Sequence, residues 1–167
     1  MDRELQKEYG LSVDDYIGFY ISFNSDIGLY ECTPEDAVVF GRTGVNGDHF
    51  AFYTFNRSIV DLEEAPILFI QPTAFGNEVN LVAKNLKEFL ALFIALKELY
   101  VLERFRFYKN KSEFIKEYKE IYLKDIGMRD SNYNYFIKRL MEKIEGIPEI
   151  NDVYEYIIEL RKQNRLE

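Results

Sequence analysis

The sequence predicts a single α+β domain over residues 1–167, in which an antiparallel sheet of four to six strands packs on helices. Short apolar runs separated by turn residues fill residues 37–83, as in a meander of strands. From residue 85 onward, apolar residues recur at helical spacing. The 167 residues are 47% hydrophobic and 30% charged, which is typical of a folded domain with one core.

The first predicted element is a helix from Ser12 to Phe23. Ser12 and Asp15 have the spacing of a capping box, in which a hydroxyl and a carboxylate satisfy free backbone N–H groups. Apolar side chains then recur on one helical face, at Val13, Tyr16, Ile17, Tyr20 and Phe23. An irregular segment with Asp26, Gly28 and Pro34 is expected to follow.

The predicted meander has four or five strands. Asn46-Gly47 is a strong signal for a tight hairpin turn, within a turn segment over residues 41–48. Pro66 is the first residue of its predicted strand, a position at which a strand tolerates proline. The predicted strands are Ala37–Phe40, His49–Phe55, Pro66–Gln71 and Val79–Ala83, with Ile59-Val60 as a further short edge or the start of an acidic loop.

Helices are predicted for the rest of the chain. Asn85 as N-cap with Glu88 three residues later begins a helix that continues to Tyr100, with an apolar face broad enough for a central core position. A C-terminal helical extension follows over residues 97–167. Its helices are expected at Ser112–Asp125, at Ser131–Glu145 with Gly146 closing the end, and from Asn151 or Asp152 onward.

Composition argues against several kinds of site. One cysteine, Cys32, and one histidine, His49, allow neither an intramolecular disulfide nor a Cys/His zinc site, and we expect no cofactor. The first residues are charged rather than apolar, unlike a secretory signal. The longest apolar run, Phe89–Leu96, is shorter than the ~20 residues of a membrane span. These features predict a cytoplasmic protein with no membrane contact.

Negative charge is concentrated in the first part of the chain. The formal net charge is −8, and residues 1–96 hold 15 of the 29 acidic side chains but only 6 of the 21 basic ones. An acidic surface disfavours direct nucleic-acid binding and favours a basic protein partner. Solubility alone would also explain a charge of this size.

Several motifs, in order, resemble the SUKH superfamily, which contains fungal cell-wall regulators of Smi/Knr type and bacterial immunity proteins. Leu11, Asp15-Tyr16, Phe19 and Phe23-Asn24 resemble its "Leu-Pro-x-Asp-Tyr-x-x-Phe-x-x-x-Asn-Gly" opening. Ser12 and Ser25 replace the proline and the last glycine, and tryptophan is absent. Three later segments resemble the family's hairpin, its next strand and its strand-to-helix junction: Gly44 to Phe52, Pro66 to Phe69, and Val82 to Leu90.

The resemblance covers residues 11–96 and implies an α+β domain that works by protein–protein binding without an active site. It further implies an immunity protein that neutralises a polymorphic bacterial toxin, for which a basic domain such as a nuclease is an electrostatically suitable partner. The alternative is a regulatory scaffold module that binds an endogenous protein, as in the fungal members. The genomic neighbourhood distinguishes them, because an adjacent toxin gene favours immunity.

The sequence also offers candidates for chemistry, each weak. The glycines of the 41–48 loop lack the lysine and following helix of a phosphate loop, which favours a hairpin. Asp48 and His49 are strand neighbours expected to face opposite ways, so a catalytic pair is disfavoured. Cys32 lies between Glu31 and Thr33, an acidic setting that would raise the pKa of its thiol, unlike a reactive thiol. A small-ligand or enzymatic domain would need a pocket in which carboxylates converge on His49.

Acidic clusters and two tyrosines are the candidate partner-binding residues. Acidic side chains steer association with a basic partner, although solvated caps and loops are the simpler interpretation. The later helices are rich in tyrosine, which is favoured at interfaces, and two of these tyrosines fall off the apolar stripes. The candidates are Asp14, Glu31, Glu35, Asp36, Asp61, Glu63, Glu64, Tyr135 and Tyr156.

Overall fold

The computed structural model describes residues 7, 10, 13–22, 30–124 and 130–163. Within this part of the chain, the strands form one five-stranded antiparallel sheet in the order β1-β2-β3-β4-β5, so the predicted α+β class and meander are confirmed. The strands are β1 Tyr20–Ile21, β2 Ala37–Arg42, β3 His49–Tyr53, β4 Ile67–Ile70 and β5 Val79–Ala83.

The hairpin between β2 and β3 closes as its sequence predicts. Asn46 and Gly47 have left-handed φ values of 53° and 77°, and Asp48 N donates to Val45 O at 2.9 Å. Two consecutive left-handed residues, enclosed by a hydrogen bond between the residues before and after them, form a type I′ turn, whose twist matches that of the strands. A bulge between Val39 and Gly41 adds a bend in β2.

The helices within the described residues are α1 Val13–Ile17, α2 Leu86–Leu96, α3 Val101–Arg104, α4 Lys111–Glu117, α5 Asp130–Lys143 and α6 Val153–Gln163. A 3₁₀ turn, Phe105–Phe107, follows α3, and α4 continues into a π-helical turn, Tyr118–Tyr122.

Side chains cap three of these helices, two of them at predicted positions. Asn85 Oδ1 accepts a hydrogen bond from Glu88 N at 2.9 Å, which confirms the predicted start of α2. Asp152 Oδ1 accepts from Glu155 N, so Asp152 rather than Asn151 caps α6. Asn110 caps α4 through the N–H of Glu113, which moves that start slightly ahead of the predicted Ser112.

The predicted first helix is too long. Its predicted bounds, Ser12 and Phe23, lie outside the described residues, and α1 ends at Ile17. Gly18 then adopts a left-handed φ of 76°, and Tyr20 pairs with Arg42 in the sheet instead of lying on the apolar face of a helix. The glycine accepts a backbone conformation that ends the helix.

The predicted end of α2 is also wrong. The helix ends at Leu96 because Lys97 adopts a left-handed φ of 56° and donates its N–H to Phe93 O. Tyr100 therefore lies beyond α2, in the connection to α3. At the end of α5, by contrast, Gly146 has the predicted left-handed φ, of 74°.

The main core lies between the sheet and α2. Phenylalanines from three strands stack there against α2, and Phe50 and Phe69 lie 4.7 Å apart between ring centroids. Phe89 and Phe93 enter this cluster from α2, and Phe136 joins it from α5. Burial of such large apolar side chains is the dominant favourable term in folding.

The other sheet face has a smaller core. Ala51, Leu68, Ile70 and Leu81 pack there against Leu160 of α6. Since Tyr154 and Ile157 of α6 belong to the main core, this helix lies along β5 and contacts both clusters. A covered edge strand is protected from pairing with another chain.

Within the described residues, no helix combines the length and hydropathy needed to cross a bilayer.

Candidate protein-binding surface

Five of the predicted partner-binding residues meet at one end of the sheet. This is the end at which β3 finishes, β4 begins and the chain enters α2. Glu35 and Asp36 precede β2 there, and Asp61, Glu63 and Glu64 belong to the connection between β3 and β4. We call this surface, with residues 54–65, the acidic end.

Asp36 joins the two segments of the acidic end. Its Oδ2 accepts a 2.5 Å hydrogen bond from Asn56 N, and its backbone carbonyl accepts from Thr54 Oγ1 at 2.6 Å. The carboxylate is thus engaged within the protein. We assign Asp36 the role of holding the β3–β4 connection against the segment before β2.

Three consecutive residues of this connection have left-handed backbones. Phe55, Asn56 and Arg57 have φ values of 46°, 55° and 65°, a conformation that costs an L-residue roughly 1–2 kcal/mol. Hydrogen bonds offset this cost, since Thr54 Oγ1 accepts from Arg57 N at 3.2 Å and Ser58 N donates to Phe55 O at 3.1 Å. The segment is therefore held in one specified shape.

The acidic residues that follow are fixed by their backbones. Asp61 Oδ1 accepts from Glu63 N at 3.0 Å, and Glu64 N donates to Asp61 O at 3.1 Å. Glu63 O accepts from Leu86 N at 3.0 Å, which ties the turn to the start of α2. The side chains of Glu63 and Glu64 remain exposed, so their positions are set while their charges face solvent.

Apolar side chains project among these charges. Val60 is 90% exposed and Phe55 is 44% exposed. Arg57 is the basic residue of the 54–65 segment. An apolar anchor within a charged rim is the usual anatomy of a protein interface, in which the anchor supplies affinity and the rim supplies specificity. Sequence reasoning missed Val60 and Phe55 as anchors.

Asp14 and Glu31 lie near the opposite end of the sheet. Asp14 Oδ1 accepts from Ile21 N at 3.3 Å, and its side chain lines a polar cleft of about 230 Å³ with Thr43 and Tyr100. Glu31 is exposed beside Tyr30, whose ring stacks on His49. The structure therefore places five of the predicted acidic residues at one end of the sheet and two near the other end.

Tyr135 and Tyr156 do not lie off the apolar stripes, which corrects the sequence-based expectation. Both are half-buried and pack against the core. Tyr156 also donates its hydroxyl to Glu88 Oε2 at 2.7 Å, and burial next to that carboxylate raises the pKa of the phenol. Because α6 packs against both core clusters, more than one side of this helix is buried, and Tyr156 contacts both clusters. A partner-binding role for either tyrosine stays a prediction.

His49 is fixed by hydrogen bonds inside the protein. Its Nδ1 donates to Gly47 O at 2.8 Å, so in the neutral ring Nε2 accepts from Thr33 Oγ1 at 3.0 Å. The side chain is 1% exposed, and burial lowers its pKa, which favours this neutral form. Its geometry supports the predicted structural role.

Cys32 has the predicted direction of pKa shift for a different reason. Burial is the main cause that raises the pKa of its thiol, and the charge of Glu78 adds to it. The prediction rested on the neighbouring Glu31, which is not the main cause of the raised pKa. A raised pKa disfavours the thiolate that reactive cysteines use.

An apolar cavity of about 210 Å³ lies on the main-core side of the sheet. Its walls include Phe19, Phe40 and Phe52 on the sheet side and Leu90 of α2. His49 lies on the opposite face of the sheet, which it shares with Ala51 of β3 and Leu68 of β4. The cavity thus has no connection to the histidine.

Comparison of the chain with protein-family models, with curated proteins and with solved structures finds no significant match.

Proposed function

We propose that this chain is a cytoplasmic, non-enzymatic protein-binding domain of SUKH type that acts as an immunity protein. Its partner is a basic toxin domain, such as a nuclease, and the acidic end is the surface that binds it. The observation that carries this proposal is that the exposed residues Glu35, Asp61, Glu63 and Glu64 lie at the same end of the sheet as the exposed side chain of Val60.

The preorganisation of the acidic end supports a binding role. Asp36 and Thr54 hold the left-handed segment in place, and the start of α2 holds Glu63. A surface that is already ordered loses less conformational entropy when a partner binds, which favours affinity. Exposed carboxylates raise the association rate with a basic partner, and this gain falls as salt increases.

The order of the elements supports the proposed family. A short helix, an antiparallel meander and a helix packed on it follow one another within residues 13–96, in the order of the motifs that resemble SUKH proteins. The second candidate function, a scaffold module for an endogenous protein, would use the same surface. What separates the two is the identity of the partner.

Coexpression with a neighbouring toxin gene tests the proposal. The toxin domain encoded beside this gene is expressed in a bacterial host, with or without this chain. We expect the chain to restore growth and to bind the purified, inactivated toxin domain. Immunity is contradicted if no toxin is encoded nearby and the chain protects against none, or if the neighbouring toxin is neither neutralised nor bound. The scaffold function is then supported by a specific complex with a purified endogenous protein.

Variants locate the surface. We expect the triple substitution D61N, E63Q and E64Q to slow association and reduce its salt dependence, and Val60→Ser to speed dissociation. Glu149→Gln, at an exposed position in the loop before α6, is the matched control and should bind like the wild type. Binding that is unchanged in all variants would place the interface elsewhere.

A further inference from the structure

A buried carboxyl group lies at the base of the β2–β3 hairpin. Asp48 is 2% exposed, and the type I′ turn fixes its backbone, with Thr43 N donating to Asp48 O at 3.0 Å. Its Oδ2 accepts from Gln71 Nε2 at 3.3 Å. Its Oδ1 is buried and has no hydrogen-bond partner among the described residues. A buried carboxylate with an unsatisfied oxygen is costly.

A second carboxyl group faces this region from α3. Glu103 Oε1 is likewise buried and lacks a hydrogen-bond partner within the described part of the chain. Glu103 lines a narrow cavity with Thr43, Phe50 and Phe69, and this cavity has no room for a water molecule. Solvation inside the cavity therefore cannot stabilise an ionised Glu103.

The charged groups around the pair are mostly acidic. Arg106, in the 3₁₀ turn after α3, attracts Asp48 but also attracts Glu78 from the β4–β5 connection. Glu98 lies on the approach to α3, where its Oε1 accepts from Tyr100 N at 3.0 Å, and its charge repels that of Glu103.

The remaining titratable neighbours supply little positive charge. Tyr100 donates its hydroxyl to Thr43 O at 3.3 Å, and Tyr20 lies beside it. At the end of the hairpin, Arg42 acts on His49, which is buried in its neutral form. Burial raises the pKa of both Asp48 and Glu103, and the charge of Asp48 adds to the shift at Glu103.

We propose that the folded protein holds a proton on the Asp48 and Glu103 carboxyl groups to a higher pH than exposed carboxyl groups do, and that ionisation of both groups loosens the joint between the hairpin and α3. This joint connects the sheet to the helical extension, so the pair makes that connection sensitive to pH. The inference does not depend on the proposed function.

The sign of the pH dependence follows from linkage. In the unfolded chain the two groups ionise near pH 4, whereas the folded protein holds its proton to higher pH. The folded state then binds more protons than the unfolded state, so the free energy of unfolding decreases as pH rises from about 4 to the raised folded pKa. Above that pKa the loss is complete.

Urea unfolding of the wild type and of Glu103→Gln tests the proposal. Glutamine keeps the shape of the side chain and removes its charge. We expect the urea midpoint of Glu103→Gln to exceed that of the wild type by an amount that grows as pH rises above about 4.5, until the folded-state carboxyl has ionised. His49 contributes equally to both proteins, so the difference isolates the carboxyl. Glu149→Gln, the exposed control, should differ from the wild type by a constant amount.

A measurement on the wild type alone keeps the proposal decidable if the variant does not fold. Carbon-13 NMR of the side-chain carboxyls should show Glu103 or Asp48 titrating well above the ordinary value of about 4. The proposal is overturned if both groups titrate at or below that value. A difference between Glu103→Gln and the wild type that does not change with pH would overturn it as well.

Discussion

The hydroxyl of Tyr156 on α6 donates a 2.7 Å hydrogen bond to Glu88 Oε2 on α2, across 68 residues of chain. The same carboxylate oxygen accepts from Lys84 N at 3.3 Å, next to the Asn85 cap. One carboxylate therefore fixes the start of the central helix and attaches the last described helix to it.

Tyr156→Phe should lower the free energy of unfolding by about 1.5 kcal/mol, because it removes a hydrogen bond to a charged group. Urea unfolding measures the loss. Tyr154→Phe, two residues earlier on the same helix, is the matched control and should change stability little. If Tyr156→Phe left stability unchanged and weakened partner binding, the tyrosine would act at the interface instead.

Arg57→Gly should stabilise the protein by roughly 0.5–1 kcal/mol. Glycine relieves the strain of a left-handed backbone at φ 65°, and this gain exceeds its greater loss of conformational entropy on folding. The arginine is exposed, so little packing is lost. Ser58→Gly, at the next position, has no positive φ to relieve and should destabilise. The explanation fails if both substitutions change the urea midpoint in the same direction.

His49 should titrate below its ordinary pKa of about 6.5. Since the unfolded state takes up a proton first, the free energy of unfolding decreases as pH falls from about 6.5 to the lowered folded pKa. His49 is the sole histidine of the chain, so its NMR titration needs no assignment. His49→Gln should remove this acid-side slope. A folded-state titration at or above about 6.5 would contradict the assignment of a neutral, buried ring.

Gly41→Ala should cost about 2–3 kcal/mol through overpacking. A Cβ at this position would lie 2.5 Å from ring atoms of Phe19, which is buried in the main core. Gly76→Ala is the control, because a Cβ there meets nothing within 4 Å and only the left-handed backbone is penalised, by about 1 kcal/mol. Equal losses of stability in urea would argue against the close contact with Phe19.

Local patterns predicted the elements whose signals lie within a few residues of one another. The strand Val79–Ala83, the Asn46-Gly47 turn and the Asn85 cap all occur where their sequences place them. Tyr20 was misassigned because its strand is defined by pairing with Arg42, a distant residue. Lys97 ends α2 in a left-handed conformation that a lysine does not signal.

The candidate surface was predicted in part. Acidic residues in the turns beside β2 and β4 were identifiable from sequence, since charged turns between strands face solvent. The sequence did not indicate which turns meet in the folded protein. It therefore gave no sign that Asp14 and Glu31 lie away from the acidic end. The exposure of Val60 depends on the hydrogen bonds that shape its loop, so apolar character alone gave no indication of it.

The sequence by itself determined the α+β class, the order of the strands β2 to β5, the Asn85 cap and the excess of negative charge in residues 1–96, because each follows from local periodicity, turn chemistry or counting. Tertiary structure alone decided that Asp36 holds a strained loop, that Tyr156 binds Glu88 and that buried carboxyl oxygens of Asp48 and Glu103 interact electrostatically. Each of these depends on segments far apart in the chain, whose contacts and desolvation arise only when the fold brings them together.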